Sequence, residues 1–344
     1  MNHTSPSTRK QRVAISSLLV GVFVLGIVAG WALKRTPVVA TAAQPSPQSC
    51  LRLGGYRFIQ PLLACDTTPR DTSMNYPELQ KSITSVIATG KANGSITTAS
   101  IYLRNLDSRK ELLINPIEEF FPASLKKVPL LIQYYKESET TPGFLSQTVT
   151  ITDSTDYNAN TTVRPSQVPE YGKTYTYAQL LEYMIKYSDN ISFQVLVKQL
   201  SLEKFNQAYL DLHLHYPDNL VSIDDYMTPY QFSLFFRTLF NATYLNRENS
   251  EAVLTLLTST EYKNGIVASI PSSVNIAHKF GVGFVPQPDN ISRGELHDCG
   301  IIYNPGKPYL LCVMTKSESG DIAEVEKTLS GISNEVYKYA VKNF

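Results

Sequence analysis

The order of strand-like and helical segments constrains the fold of this chain more than any other feature. Two runs with the residue preferences of strands, 96–103 and 111–117, come early, and the next such runs begin only at about residue 275. Helices, predicted from apolar spacing, are 77–91, 124–138, 177–187, 191–200, 202–211, 229–244, 249–258 and 321–342; the late strands are 275–284, 296–303 and 309–315. We therefore expect an α/β (α+β) fold with one sheet built from both ends of the chain and a helical insert between them.

Residues 13–33 form an uncharged, apolar run that is long enough to cross a bilayer as a helix. Basic residues in 1–12 favour a cytoplasmic N-terminus, so the run predicts a single-pass cell-membrane anchor with an extracytoplasmic domain. A secreted protein cleaved near Ala42 is the alternative. It is disfavoured because the apolar run exceeds the usual signal-peptide core and the basic pair at 34–35 separates it from that site.

The remaining chain divides by composition. Residues 34–49 are rich in Pro and Ala, which predicts an extended tether. Residues 50–76 are assigned to an N-terminal extension and residues 77–344 to the main domain.

The balance of 31 Lys and Arg against 30 Asp and Glu gives a net charge of +1, which provides no general attraction for nucleic acid. The 43% apolar content excludes a disordered chain.

The four cysteines permit disulfides in an exported domain. Cys50 and Cys65 would close a short loop. Cys299 and Cys312 lie at equal distances from the turn 304–307, so a regular hairpin would place them opposite each other. The alternative is that the second pair are small buried apolar residues.

A Ser-x-x-Lys string links Ser124 to Lys127. At this spacing both side chains share one face of a helix that begins at Ser124. A serine hydroxyl is a weak nucleophile, and a lysine amine can activate it when burial and nearby positive charge lower its pKa. On its own, the Ser-x-x-Lys string is weak evidence for a catalytic serine, because a serine in this position also serves as an ordinary helix N-cap.

Two further strings contain polar groups suited to the same chemistry. Ser188 and Asn190 belong to a Ser-Asp-Asn string between two predicted helices, where a hydroxyl can relay a proton and an amide can orient a substrate. The alternative is a connector with capping residues. Lys279 and Gly281 belong to a Lys-x-Gly string in a predicted strand, where the alternative is an exposed lysine near a bulge.

Together, the three strings in this order resemble the signature of class A β-lactamases and penicillin-binding proteins. The resemblance covers about residues 77–344. It implies an antiparallel five-stranded sheet flanked by helices, plus an all-helical subdomain. It also implies that Ser124 is the acylated nucleophile, Lys127 its base and Ser188 a proton shuttle.

The resemblance further implies the substrate-binding groups. Asn190 and Lys279 would position the substrate, Gly281 would belong to the substrate-binding strand, and the Val282 amide would join that of Ser124 in an oxyanion hole. The ligand would be a small-molecule β-lactam or a D-Ala-D-Ala-like peptide, and no metal or organic cofactor is implied. The sequence leaves the oligomeric state open, and a monomer is expected. The spacing of His213 and His215 suits a metal, but without a third ligand they are expected to be surface residues.

Two departures from the family pattern bear on activity. Residues 216–226 contain no glutamate, the residue that activates the deacylating water in class A enzymes, which leaves Asp224 or Asp225 as substitutes. Phe280 replaces the hydroxyl residue within Lys-x-Gly. Three functions therefore stay open: a class A-like hydrolase with slow deacylation, a D-alanyl-D-alanine peptidase, and a non-catalytic envelope-binding protein.

Overall fold

The computed structural model describes residues 50–65, 76–216, 224–286 and 292–344, all within one compact unit. Its strands are β1 (Cys50–Arg52), β2 (Leu62–Cys65), β3 (Thr98–Asn105), β4 (Glu111–Ile114), β5 (Thr148–Thr150), β6 (Thr174–Thr176), β7 (Ile276–Pro286), β8 (Ser292–Ile302) and β9 (Tyr309–Ser317). Its helices are α1 (Pro77–Ala92), α2 (Lys127–Thr140), α3 (Tyr177–Lys186), α4 (Asn190–Lys198), α5 (Leu202–Asp211), α6 (Pro229–Asn241), α7 (Arg247–Thr258) and α8 (Ile322–Asn343).

The early and late strands join in one five-stranded antiparallel sheet of order β4-β3-β9-β8-β7. Strand β9 lies at its centre because it pairs with β3 on one side and β8 on the other. The predicted sheet, built from both ends of the chain, is therefore confirmed. Strand β7, which contains Lys279, forms an edge of this sheet.

Each sheet face is covered by a separate apolar layer. Helices α1 and α8 cover one face through spaced apolar residues such as Ile83 and Leu329. Helices α2 to α7 build a larger apolar core against the other face, with Tyr134, Leu196 and Phe236 fully buried. Two separate apolar layers result from the order of the elements along the chain. The helices that connect the early and late strands all pack on one face of the sheet, and the first and last helices pack on the other.

The structure corrects the start of the helix predicted at 124–138. Residues Ala123–Lys126 form a 3-10 helix, and the α-helix begins at Lys127. The Ser124 side chain makes no N-cap bond for either helix. The ordinary capping role considered from the sequence is therefore wrong, because the segment enters the helix through a tight turn with Ala123 in the left-handed region at φ 48°.

Part of the N-terminal extension is packed into the domain. Strands β1 and β2, which the sequence did not suggest, form a hairpin whose register places Cys50 opposite Cys65. The segment between them buries Phe58 and Ile59 in the helical core. The Glu251 carboxylate on α7 accepts hydrogen bonds of 2.9–3.0 Å from the backbone N–H groups of residues 57–59. The extension is thus held by packing and by polar contacts.

The remaining cysteines form a disulfide, Cys299–Cys312, between directly paired residues of β8 and β9. None of the described helices is both long and apolar enough to span a bilayer. The predicted anchor at 13–33 and tether at 34–49 lie outside the described residues, and so do residues 217–223 of the interval that lacks glutamate.

Candidate active site

Ser124 lies at a cavity of about 290 Å³ between the helical core and strand β7. The residues lining this cavity are Ser124, Asn160, Thr161, Thr162, Val163, Ser188, Asn190, Phe280, Val282, Gly283 and Phe284. All three strings from the sequence contribute to it. The preceding residue, Ala123, has a φ of 48°, a conformation that costs non-glycine residues about 1–3 kcal/mol and persists only where the surroundings enforce it.

Strand β7 holds one side of this strained segment. A side chain at Gly281 would place its Cβ 2.8 Å from the Pro122 carbonyl oxygen and 3.1 Å from the Ser124 nitrogen. The glycine therefore lets β7 pack directly against the backbone of residues 122–125, while its place in a substrate-binding strand stays a prediction. Gly283 similarly lies against Phe121 and Ala123.

Two fully buried side chains of β8 hold the backbone of Phe121, at the start of the same segment. The Glu295 carboxylate accepts a 3.1 Å hydrogen bond from the Phe121 N–H, and His297 Nε2 lies 2.9 Å from the Phe121 carbonyl oxygen. The Thr315 N–H donates to His297 Nδ1 at 3.3 Å, so the ring proton lies on Nε2, which donates to Phe121. The sequence analysis gave neither residue a role in the site, because these contacts depend on how β8 lies against a distant segment of the chain.

We expect Gly281→Ala to slow acylation of Ser124 by about 10–100-fold. The methyl group has to displace backbone atoms, and overpacking of this kind costs about 1–3 kcal/mol. Stopped-flow or quenched-flow labelling with a chromogenic β-lactam measures the rate. Gly294→Ala on β8 is the matched control, because its methyl would meet only ordinary contacts of 3.5 Å or more. Equal acylation rates in the two variants would contradict this account of Gly281.

Lys127 is buried and points at the Ser-Asp-Asn string. Its Nζ donates to the Ser188 carbonyl oxygen at 2.6 Å and to Asn190 Oδ1 at 2.7 Å, with Ser188 Oγ at 3.3 Å. A neutral amine has two N–H groups and one lone pair. Because the two short contacts use the N–H groups, the lone pair remains available to accept a proton.

The pKa of Lys127 is lowered from 10.5 to about 7, mainly by burial and in smaller part by the positive charge of Lys126, while Asp189 opposes the shift. The neighbouring Lys126 is itself desolvated between the rings of Phe121 and Phe193, and its pKa is lowered to about 8. Desolvation and nearby positive charge are the two conditions under which a lysine serves as a general base near neutral pH.

Ser188 lies between two lysines. Lys279 Nζ donates to Ser188 Oγ at 2.8 Å and to the Phe280 carbonyl oxygen at 2.9 Å. Since Lys279 is fully buried, desolvation and then the charge of Lys127 hold its pKa well below 10.5, although Asp298 opposes this shift. Lys279 is therefore not an exposed strand lysine. The Ser188 hydroxyl oxygen accepts from Lys279. Its 3.3 Å contact with Lys127 Nζ is an accepted hydrogen bond when Lys127 is an ammonium and a donated one when Lys127 is a neutral amine.

The connector also has its ordinary capping function. Asp189 is the N-cap of α4 and accepts a 2.6 Å bond from the Ser192 N–H. Its other oxygen accepts from Asn158 Nδ2 at 2.6 Å, while Asn158 Oδ1 accepts from the Asn190 N–H at 2.9 Å. These hydrogen bonds fix the backbone of the Ser-Asp-Asn string at the start of α4. Ser188 has a φ of 58°, and its side chain lies towards the two lysines. Asn158 was not anticipated from the sequence, because it lies about thirty residues away in an irregular loop.

The suggested deacylation bases, Asp224 and Asp225, are not among the residues that line the described cavity. The Asp225 carboxylate is ion-paired with Arg293 at 2.7 Å and with Lys316 at 2.8 Å. Asp224 precedes it and is exposed. The role of either carboxylate as the base stays a prediction. Of the described residues, no three His, Cys, Asp or Glu side chains cluster as metal ligands, and His213 and His215 are exposed.

The comparisons with known proteins agree with this geometry. A sequence model described as the Beta-lactamase enzyme family matches residues 78–340. The chain belongs to the β-lactamase family. A relative that supports this membership is the extended-spectrum β-lactamase PER-1 of Pseudomonas aeruginosa, 22% identical over 299 residues that cover 82% of this chain and 93% of PER-1.

Solved structures show the same fold for this β-lactamase-family protein. The extended-spectrum β-lactamase TLA-3 superposes with a TM-score of 0.67 and 16% identity, covering 77% of this chain and all of TLA-3. PBP-A superposes with a TM-score of 0.63 and 20% identity, covering 77% of this chain and 96% of PBP-A. The family and the fold together support the assignment of this protein as a serine hydrolase.

Proposed function

We propose that this protein is a serine hydrolase acylated on Ser124 by β-lactams or related acyl-D-alanine-like amides, and that it deacylates slowly. The observation that carries the proposal is the Ser188 hydroxyl held between two buried lysines, one of which, Lys127, has a pKa of about 7. This arrangement supplies a proton acceptor for the nucleophile and a path for returning that proton to a leaving group.

In the proposed reaction the Ser124 oxygen bonds to the substrate carbonyl carbon while its proton passes to the Lys127 lone pair. The N–H groups of Ser124 and Val282 stabilise the oxyanion. As the C–N bond breaks, the Ser188 hydroxyl donates its proton to the departing nitrogen and is reprotonated from Lys127. In a β-lactam the nitrogen stays attached, so the adduct has the full mass of the reagent. In a linear amide the amine leaves.

Slow deacylation follows from the lack of a carboxylate on the described cavity lining. Hydrolysis of the acyl-enzyme needs a base that activates water, and a general base contributes about 10²–10⁴-fold. A D-alanyl-D-alanine peptidase is the second candidate, favoured by the same lack of a carboxylate and by the fold of PBP-A, of which a variant was solved as an acyl-enzyme complex with penicillin G. We further propose that residues 13–33 anchor the domain on the outer side of the cell membrane, which the sequence pattern alone supports.

The proposal is tested by mixing the protein with penicillin G and following its intact mass. We expect an adduct of the reagent's full mass that persists for minutes or longer, with weak steady-state hydrolysis. Peptide mapping should place the adduct on Ser124. Rapid hydrolysis without a detectable adduct would contradict slow deacylation and direct attention to Asp224 and Asp225. The absence of both adduct and hydrolysis would contradict acylation itself.

A further inference from the structure

Residues 121–124, which lead to the proposed nucleophile, lie over two glycines of strand β7. In the sheet register, Gly281 and Gly283 stand opposite two fully buried residues of β8, His297 and Glu295. A Cβ at either glycine would lie 2.8–2.9 Å from an atom of this segment. Residues directly opposite each other in an antiparallel sheet project from the same face. The two β8 side chains therefore reach the backbone of the segment across the space that the glycines leave open.

The two oxygens of the Glu295 carboxylate have different partners. Oε2 accepts from the Phe121 N–H at 3.1 Å and lies 3.2 Å from His297 Nε2. Oε1 accepts from Arg293 Nε at 2.9 Å, and a second guanidinium nitrogen lies 2.7 Å away. One oxygen thus holds the nucleophile's segment while the other holds a cation.

The charge of Glu295 depends on that cation. The Glu295 side chain is 0% exposed, and a carboxylate without hydration stays ionised only where a cation and hydrogen-bond donors surround it. His297 does not supply the positive charge, because its Nδ1 accepts from the Thr315 N–H and so holds no proton. Arg293 supplies it, since a guanidinium keeps its charge at any ordinary pH.

A second cation of the same network has other partners. Lys316 stands opposite Glu295 on β9, but its ammonium pairs with Glu118 at 2.7 Å and with Asp225 at 2.8 Å. Arg293 also pairs with Asp225, at 2.7 Å. Within the described part of the chain, Arg293 is therefore the lysine or arginine that contacts the Glu295 carboxylate.

We infer that Arg293 is a positioning residue for the proposed nucleophile. By keeping Glu295 ionised, it makes that carboxylate a fixed acceptor for the Phe121 N–H, and this bond holds the strained turn that presents Ser124. Arg293 is not among the residues that line the described cavity, so it acts through the backbone of the segment and not on the substrate. The inference rests on the proposed acylation of Ser124 and adds a residue that controls its rate.

The test begins with Arg293→Met, which keeps an unbranched side chain and removes the cation. The Phe121 bond weakens when the buried carboxylate takes up a proton or draws in water. We expect the acylation rate at saturating penicillin G, measured by quenched-flow and intact mass, to fall by about tenfold to 10²-fold. The half-saturating concentration should change by less than about threefold, because no contact with the substrate is lost. Arg293→Lys keeps a cation and should recover most of the rate.

A double variant tests the route through Glu295. In Arg293→Met/Glu295→Gln no charge is buried, and the amide oxygen can still accept from the Phe121 N–H. We expect its acylation rate to return to within about fivefold of the wild-type rate, because removing both members of a buried pair costs far less than removing one. If the single variant does not fold, the rate of the double variant decides the question alone.

Lys316→Met is the matched control, since Lys316 also pairs with Asp225 but has Glu118 as its other partner. Its rate should stay within about threefold of the wild-type rate, as for other exposed ion pairs. A wild-type rate in Arg293→Met, an equal loss in Lys316→Met, or a folded double variant slower than about tenfold below wild type would overturn the inference. A wild-type protein that is never labelled on Ser124 would overturn the proposed function instead.

Discussion

Replacement of Ser124 by alanine is expected to abolish covalent labelling by β-lactams. The change removes only the hydroxyl and keeps the backbone N–H at the strained turn, so the cavity and its lining are preserved. Intact-mass analysis after exposure to penicillin G measures the loss. Ser188→Ala is the matched control: it removes a hydroxyl from the same cavity and should slow labelling without eliminating it. Labelling of the Ser124→Ala protein at the wild-type rate would refute the nucleophile assignment.

Lys127→Met is expected to lower the acylation rate by about 10²–10⁴-fold, the usual contribution of a general base. Methionine fills the same buried space, so the fold should tolerate the change better than it would a truncation to alanine. In the wild-type protein the acylation rate should rise with pH through about 7 and then level, because the amine accepts a proton only when it is neutral.

Lys126→Met serves as the control for the second prediction, since it removes the neighbouring lysine and leaves the proposed base in place. Without the charge of Lys126 the pKa of Lys127 rises, so the pH profile should move to higher pH while the plateau rate stays within about tenfold. A Lys127→Met protein with the wild-type pH profile would show that another group accepts the proton.

Most of the secondary structure of the main domain could be predicted from the sequence because its helices and strands have strong local patterns. The helix 202–211 was predicted with its observed bounds, and the final helix differs by only one residue at each end. The hairpin β1–β2 was missed, since its strands are only three and four residues long. The segment between them is held by hydrogen bonds to Glu251 on α7 and by burial of Phe58 and Ile59 in the helical core.

In the candidate site as well, residues that belong to local sequence strings could be predicted, whereas contacts between distant segments could not. Ser124, Ser188 and Lys279 were identified because their strings have a chemical reason for their composition and a fixed order. The contacts of Glu295 and His297 with Phe121 could not be foreseen, because they depend on how β8 lies against a segment more than 170 residues earlier. Phe280 stacks on Tyr262 with the ring centroids 3.9 Å apart, which is also a contact between distant segments. The sequence indicated that Phe280 replaces a hydroxyl residue, but not that its ring lies 4.0 Å from Lys279 Nζ.

The contact between Glu251 and the backbone of residues 57–59 sets the boundary of the folding unit. A chain that began at residue 77 would keep each motif side chain, but it would leave the half-buried Glu251 carboxylate without its three donors and open the space filled by Phe58 and Ile59. Residues 50–65 of the predicted extension are therefore a structural component of the domain, and truncations meant to isolate the domain should retain them.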